Sequence, residues 1–235
     1  MKRISQLFFI VLVSGSIDAQ NSEKSLSAQQ ESMAAISALT AVGNIEQLKT
    51  ELIAGLDSGL TINEIKEELV QLYAYCGFPR SLNAVNAFMA VLEDRKAKGK
   101  TDVVGKEATP VTDTNRYQTG KQTLQKLSGR EEKTLSGANA FAPALDQFLK
   151  EHLFADIFSR DVLTYSQREL VTISALAAMT GTEAQLQSHI GLGLNNGISE
   201  SQLGELWQII EAKINKQQAD IAKATFEKVK NPAKK

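Results

Sequence analysis

The 235-residue sequence holds a single cysteine, Cys76, and only four prolines. A lone thiol has no partner for an intrachain disulfide, so covalent staples are excluded as the source of stability. Aromatic residues are scarce at 6%, while Ala, Leu, Gln and Glu are plentiful, a composition that favours helix. Excess charge of either sign is missing too, with 26 Lys and Arg against 27 Asp and Glu. Nothing electrostatic therefore recommends nucleic acid as a partner, and no nucleic-acid-binding motif stands out. No clustered ligand spacing for a metal is visible either. A membrane-spanning run is also lacking. The apolar stretch from Leu7 to Val13 is too short to cross a bilayer. It follows Lys2 and Arg3 and precedes small and polar residues from Ser14 to Ala19. That order is the pattern of an export signal over residues 1–19, with cleavage before Gln20. No cysteine follows it to carry a lipid anchor. The expected location is periplasmic or secreted, with no membrane partner once the signal is removed.

What the sequence does contain is a repeat. LSAQQESMAAISALTAVGNIEQLKTELIAGLDSGLTINEIKEELVQL, from Leu26, parallels LTYSQRELVTISALAAMTGTEAQLQSHIGLGLNNGISESQLGELWQII, from Leu163. Both contain ISAL (Ile36 to Leu39, Ile173 to Leu176). Gln47-Leu48 pairs with Gln185-Leu186, Gly55 with Gly193 and Gly59 with Gly197, with one residue of slip before Gly43 and Gly181. The helix-start signals repeat as well. A capping box sets Ser or Thr three residues before Glu or Gln. Ser27/Gln30 and Thr164/Gln167 open the first helix of each copy, and Thr61/Glu64 and Ser199/Gln202 the third. Thr182/Gln185 opens the second helix of the later copy, with Asn44/Gln47 as a looser counterpart. Gly59 and Gly197 sit where a helix must stop. Matching caps on matching apolar positions argue for duplication. The expected organisation is a first repeat over 20–98, an exposed polar linker over 99–115 and a second repeat over 116–230. Two further helices are expected at Arg116–Leu127 and Glu131–Phe158, the latter started or kinked by Pro143. The fold class is all-α, in two related lobes.

Three places carry candidate chemistry. In AYCGFPRSLNA, from Ala74, Gly77 and Pro79 end one helix and begin another. Cys76 then lies just before a helix N-terminus with Arg80 nearby, features that lower a thiol pKa. A small buried filler is the alternative for Cys76. In the second copy, Glu169 and His189 fall at similar heights on two antiparallel helices. A carboxylate that orients an imidazole makes a general acid or base. A surface Glu and a His that never meet is the alternative. The first copy has Ser32 and Glu51 at these positions and lacks the pair.

RELVTISALAAMTGTEAQLQSHIGLGLNNGIS, YCGFPRSLNA and FADIFSRDVLTYSQREL resemble the carboxymuconolactone decarboxylase family. The resemblance runs from Leu26 to Asn215 apart from the linker. It implies the duplicated all-helical alkylhydroperoxidase D-like fold, assembled as a homo-oligomer, here a trimer of two-repeat chains. It implies a small-molecule substrate and no cofactor for a decarboxylase, or a Cys-x-x-Cys pair for the family's thiol peroxidases. The family's catalytic Glu and His correspond to Glu169 and His189. The paired thiols would fall at Gln185 and Ser188, neither of which is a cysteine. Cys76 replaces the usual Ala of the Ala-Gly-Phe-Pro segment.

Three functional readings follow. The first is a cofactor-free carboxy-lyase or lactone enzyme acting on a small carboxylated substrate. Glu169 and His189 handle the proton, and Arg80, with Phe78 and Asn83, holds the substrate. The second is a peroxiredoxin-type protein working through Cys76 alone, weakened by the missing pair. The third is a duplicated scaffold without catalysis.

Overall fold

A computed structural model describes residues 25–110 and 112–232; the expected export signal lies outside them. The described residues form helices and no strands. The first copy supplies α1 (Ala28–Val42), α2 (Ile45–Asp57), α3 (Ile62–Cys76) and α4 (Phe78–Ala97). An insert follows, with α5 (Arg116–Ser128), α6 (Gly137–Phe141), α7 (Pro143–Phe148) and a π-helix (Leu149–Ile157). The second copy supplies α8 (Tyr165–Ala178), α9 (Glu183–Asn195), α10 (Glu200–Lys213) and α11 (Lys216–Lys230).

Most helix starts are where the side chains dictate. Complete capping boxes close on Ser27, Thr61, Thr164 and Ser199, each exchanging bonds with the Gln or Glu three residues on. Asn44 caps α2 through Gln47 N–H alone. Thr182 departs from the expected box: its Oγ1 donates to Leu176 O at 2.8 Å, so it ties the turn back to α8 instead of capping α9. Gly77 takes φ +83°, a conformation that favours glycine, and lets α3 end at Cys76 while α4 starts with Pro79 in its first turn.

The copies are interleaved. The two first helices, α1 and α8, pack on each other at the centre, and Ile36, Leu39, Ile173 and Ala175 are wholly buried there. Each third helix packs on the first helix of the other copy, α3 on α8 and α10 on α1. α4 on α2 and α11 on α9 complete the parallel. The buried side chains form one continuous core across both copies.

Polar groups also fix α3 to α8. Arg168 is fully buried; its guanidinium donates to Gln71 Oε1 (2.9 Å) and Glu67 Oε2 (3.3 Å), and Gln71 Nε2 donates to Arg168 O (2.8 Å). Arg160 chelates the same Glu67 carboxylate at 2.8 and 2.5 Å. Against the upward push of burial, these two guanidiniums hold Glu67 below the usual carboxylate range.

Two segments differ from expectation. The 99–115 stretch is not a free linker throughout: Val103 O and Val104 O accept from the first N–H groups of α3, and Asn63 Nδ2 donates to Gly105 O and Lys106 O. Residues 131–136 are not helical, and the expected long helix breaks at Ala142 before Pro143 restarts it. The π-helix then lies against α5, where a Cβ on Gly120 would fall 1.8 Å from Lys150 O. Only glycine allows the two backbones to approach so closely.

Candidate functional site

The second copy buries its Glu and His together. Glu169 projects from α8 and is fully buried; His189 projects from α9 and is 9% exposed. His189 Nδ1 lies 2.8 Å from Glu169 Oε2. A carboxylate only accepts, so the pair places a proton on Nδ1 and leaves Nε2 for chemistry. Glu169 Oε1 is buried without a hydrogen-bond partner. Gly193, one turn beyond His189, permits the close approach. A Cβ there would lie 2.8 Å from Ile173 Cδ1 and 3.8 Å from Glu169 Cβ.

His189 lines a cavity of about 640 Å³. Its wall is largely apolar: Leu124 of α5, Leu149, Leu153 and Phe154 of the π-helix, Leu176 of α8 and Leu192 of α9. Polar groups line one side, with Thr182, Gln185 and Ser188 along the start of α9. A π-helix widens the turn by one residue and is often found at functional sites; here it supplies three of the wall's side chains. The cavity is completed by the other copy. Ala74 and Tyr75 reach it from α3, and the Tyr75 ring stands edge-on to the His189 ring with centroids 5.4 Å apart. The Tyr75 hydroxyl is buried beside the Thr172 side chain. Burial and the Glu169 carboxylate push its ionisation upward, so it stays a neutral phenol.

The other expected site residues lie elsewhere. Arg80 is exposed and lines a separate cavity with Ala178, Met179 and Thr180, so it does not share the His189 cavity. The α8–α9 turn divides the two, because Leu176, Gly181 and Thr182 face the His189 side. Phe78 is 62% exposed and stacks on Tyr73 at 4.3 Å; Asn83 is exposed on α4; neither lines either cavity. Cys76 is half-buried, packs against the core and donates to Leu72 O at 3.1 Å. Burial pushes its thiol up and Arg80 opposes this only in part. Of the two readings of Cys76, the fold favours the small buried filler over the activated thiol: desolvation outweighs the nearby cation. Among the described residues, no group of three or more His, Cys, Asp or Glu is placed to hold a metal ion.

Sequence reasoning missed Tyr75. The repeat carried a usable signal. At the spacing that pairs Gly59 with Gly197, Glu51 corresponds to His189 and Tyr75 to Lys213. The structure brings these counterparts together: Lys213 Nζ lies 2.7 Å from Glu51 Oε1, and both line a cavity of about 350 Å³ with Ser32, the counterpart of Glu169. An ion pair thus stands at the symmetry-related position.

Residues 14–90 and 143–212 match the carboxymuconolactone decarboxylase family. The chain is also 30% identical, over 98 residues, to the 4-carboxymuconolactone decarboxylase of Acinetobacter baylyi, covering 41% of this chain and 72% of that protein. Together the two matched segments cover more than half of the sequence and take in the first three helices of each copy, and the chain belongs to the carboxymuconolactone decarboxylase family.

Proposed function

We propose that the protein is a cofactor-free carboxy-lyase that acts on a small carboxylated substrate, such as a carboxylated lactone, in the His189 cavity. The observation that carries this reading is the buried 2.8 Å contact between His189 Nδ1 and Glu169 at the wall of a largely apolar cavity. Decarboxylation next to a conjugated carbonyl breaks the carbon–carboxylate bond. Carbon dioxide leaves, and the bonding pair moves into the carbonyl as an enolate. Apolar walls favour this step, because a carboxylate stripped of water loses more than the neutral product does. The amide of Gln185, on the cavity wall, is available to donate to the enolate oxygen, whereas the Thr182 and Ser188 hydroxyls already donate to backbone carbonyls. His189 then gives a proton from Nε2 to the carbon that lost carbon dioxide, and solvent restores it. Glu169 orients the ring and balances its charge. The relative from Acinetobacter baylyi, named for the same reaction type, supports this choice of chemistry.

The test is carbon dioxide release from a panel of carboxylated five- and six-membered lactones, run in D₂O. One deuterium in the product at the decarboxylated carbon, and a loss of about 10²–10⁴-fold in His189→Asn, are expected. A well-folded wild-type protein that releases carbon dioxide from no member of the panel refutes the reading.

A further inference from the structure

The Arg80 cavity has a chemistry of its own. It measures about 470 Å³, within the range of small-molecule sites, and both copies build it. Its wall contains two cations, Arg80 and Lys213, and no Asp or Glu. Lys213 is shared with Glu51, which lies outside the cavity wall. The Arg80 guanidinium makes only a 3.7 Å contact to the Met179 sulfur, so its hydrogen-bonding face is not taken up by a carboxylate. Two long helices begin at this wall, α2 behind its cap Asn44 and α11 behind its cap Asn215. Their positive ends add to the field of the cations. An independent feature points to a ligand: Gln218 lines the cavity at 4% exposure, and its Oε1 has no hydrogen-bond partner. A buried amide oxygen left without a donor is costly unless something occupies the space before it.

We infer that this cavity, across the α8–α9 turn from His189, is a second site that binds a small oxyanion, a carboxylate or a phosphate. Arg80 takes two of the anion's oxygens through its planar fork. Lys213 contributes charge, and Gln218 Oε1 accepts from a hydroxyl or protonated oxygen of the same ligand. This goes beyond the lyase reading and does not depend on it.

The experiment uses the full chain and isothermal titration calorimetry with two probes, inorganic phosphate and malonate. Sodium chloride at matched ionic strength is the control. Saturable binding of one probe to one site per chain is expected; the stronger probe says whether phosphate or carboxylate is the ligand class. Arg80→Gln, at an exposed side chain, is expected to weaken binding at least tenfold, about 1.4 kcal/mol, with native helicity retained. His189→Asn is expected to leave it unchanged. Absence of saturable binding by either probe overturns the proposal. So does binding that survives Arg80→Gln at full strength, or that disappears in His189→Asn.

Discussion

Glu68 offers a test of how the core handles a buried charge. The side chain projects from α3 and is fully buried. Ser37 Oγ donates to its Oε1 at 2.7 Å, its Oε2 has no partner, and no cation is paired with it. Burial raises its pKa well above the ordinary 4.5. The sign follows from proton counting. Above pH 4.5 the unfolded chain has lost this proton while the folded chain keeps it. Stability is therefore full below that value and falls as pH rises towards the raised folded value. Each pH unit in that window costs about 1.4 kcal/mol. Glu68→Gln keeps the shape and the bond from Ser37 but cannot ionise. The melting temperature of the variant relative to wild type should therefore climb with pH. Each unit inside that window is worth roughly 3–6 °C for a chain of this size. The assay is thermal unfolding by circular dichroism at pH 5, 6 and 7. A difference between the two proteins that stays flat with pH refutes the claim that Glu68 is buried uncharged. Any constant offset from the new amide leaves the slope untouched.

Other outcomes follow from particular contacts. Arg168→Gln removes a fully buried cation from Glu67 and Gln71 and should cost about 3–5 kcal/mol; a melting temperature within about 2 °C of wild type contradicts this. Gly120→Ala drives a methyl into Lys150 O and should cost at least the ~1–3 kcal/mol of an overpacked interior, read by chemical denaturation. Cys76 should alkylate slowly near neutral pH and accelerate only above about pH 8.5, with the same profile in His189→Asn. A half-maximal rate well below pH 8, shifted by the His189 change, would return the thiol to the His189 site.

The sequence announced those features that depend on neighbours along the chain. Four complete capping boxes, the Gly77 break and the Glu169–His189 height match are all local or near-local rules, and the helices respect them. What stayed hidden depends on how helices meet. Thr182 fits the capping pattern, yet its hydroxyl found Leu176 O closer at hand. Arg80 and Tyr75 are only five residues apart, but Tyr75 ends α3 and faces α9, whereas Arg80 starts α4 beyond the Gly77 turn and faces the opposite side of the α8–α9 turn. Cys76 stayed open between an activated thiol and a buried filler because proximity to a helix start and a cation is visible in sequence, while the desolvation that overrides both is not. The π-helix has no periodic signature distinct from an α-helix, so its share of the cavity wall was invisible.

In the lyase proposed above, Glu169 and His189 act as one unit in proton transfer. The most direct measurement is a double-mutant cycle on carbon dioxide release with Glu169→Gln, His189→Asn and the two combined, each checked for native helicity. His189→Asn alone should cost about 10²–10⁴-fold, Glu169→Gln a large share of this, and the double variant should be no slower than His189→Asn. Losses that multiply in the double variant, or a Glu169→Gln protein with the wild-type rate, would contradict this coupling.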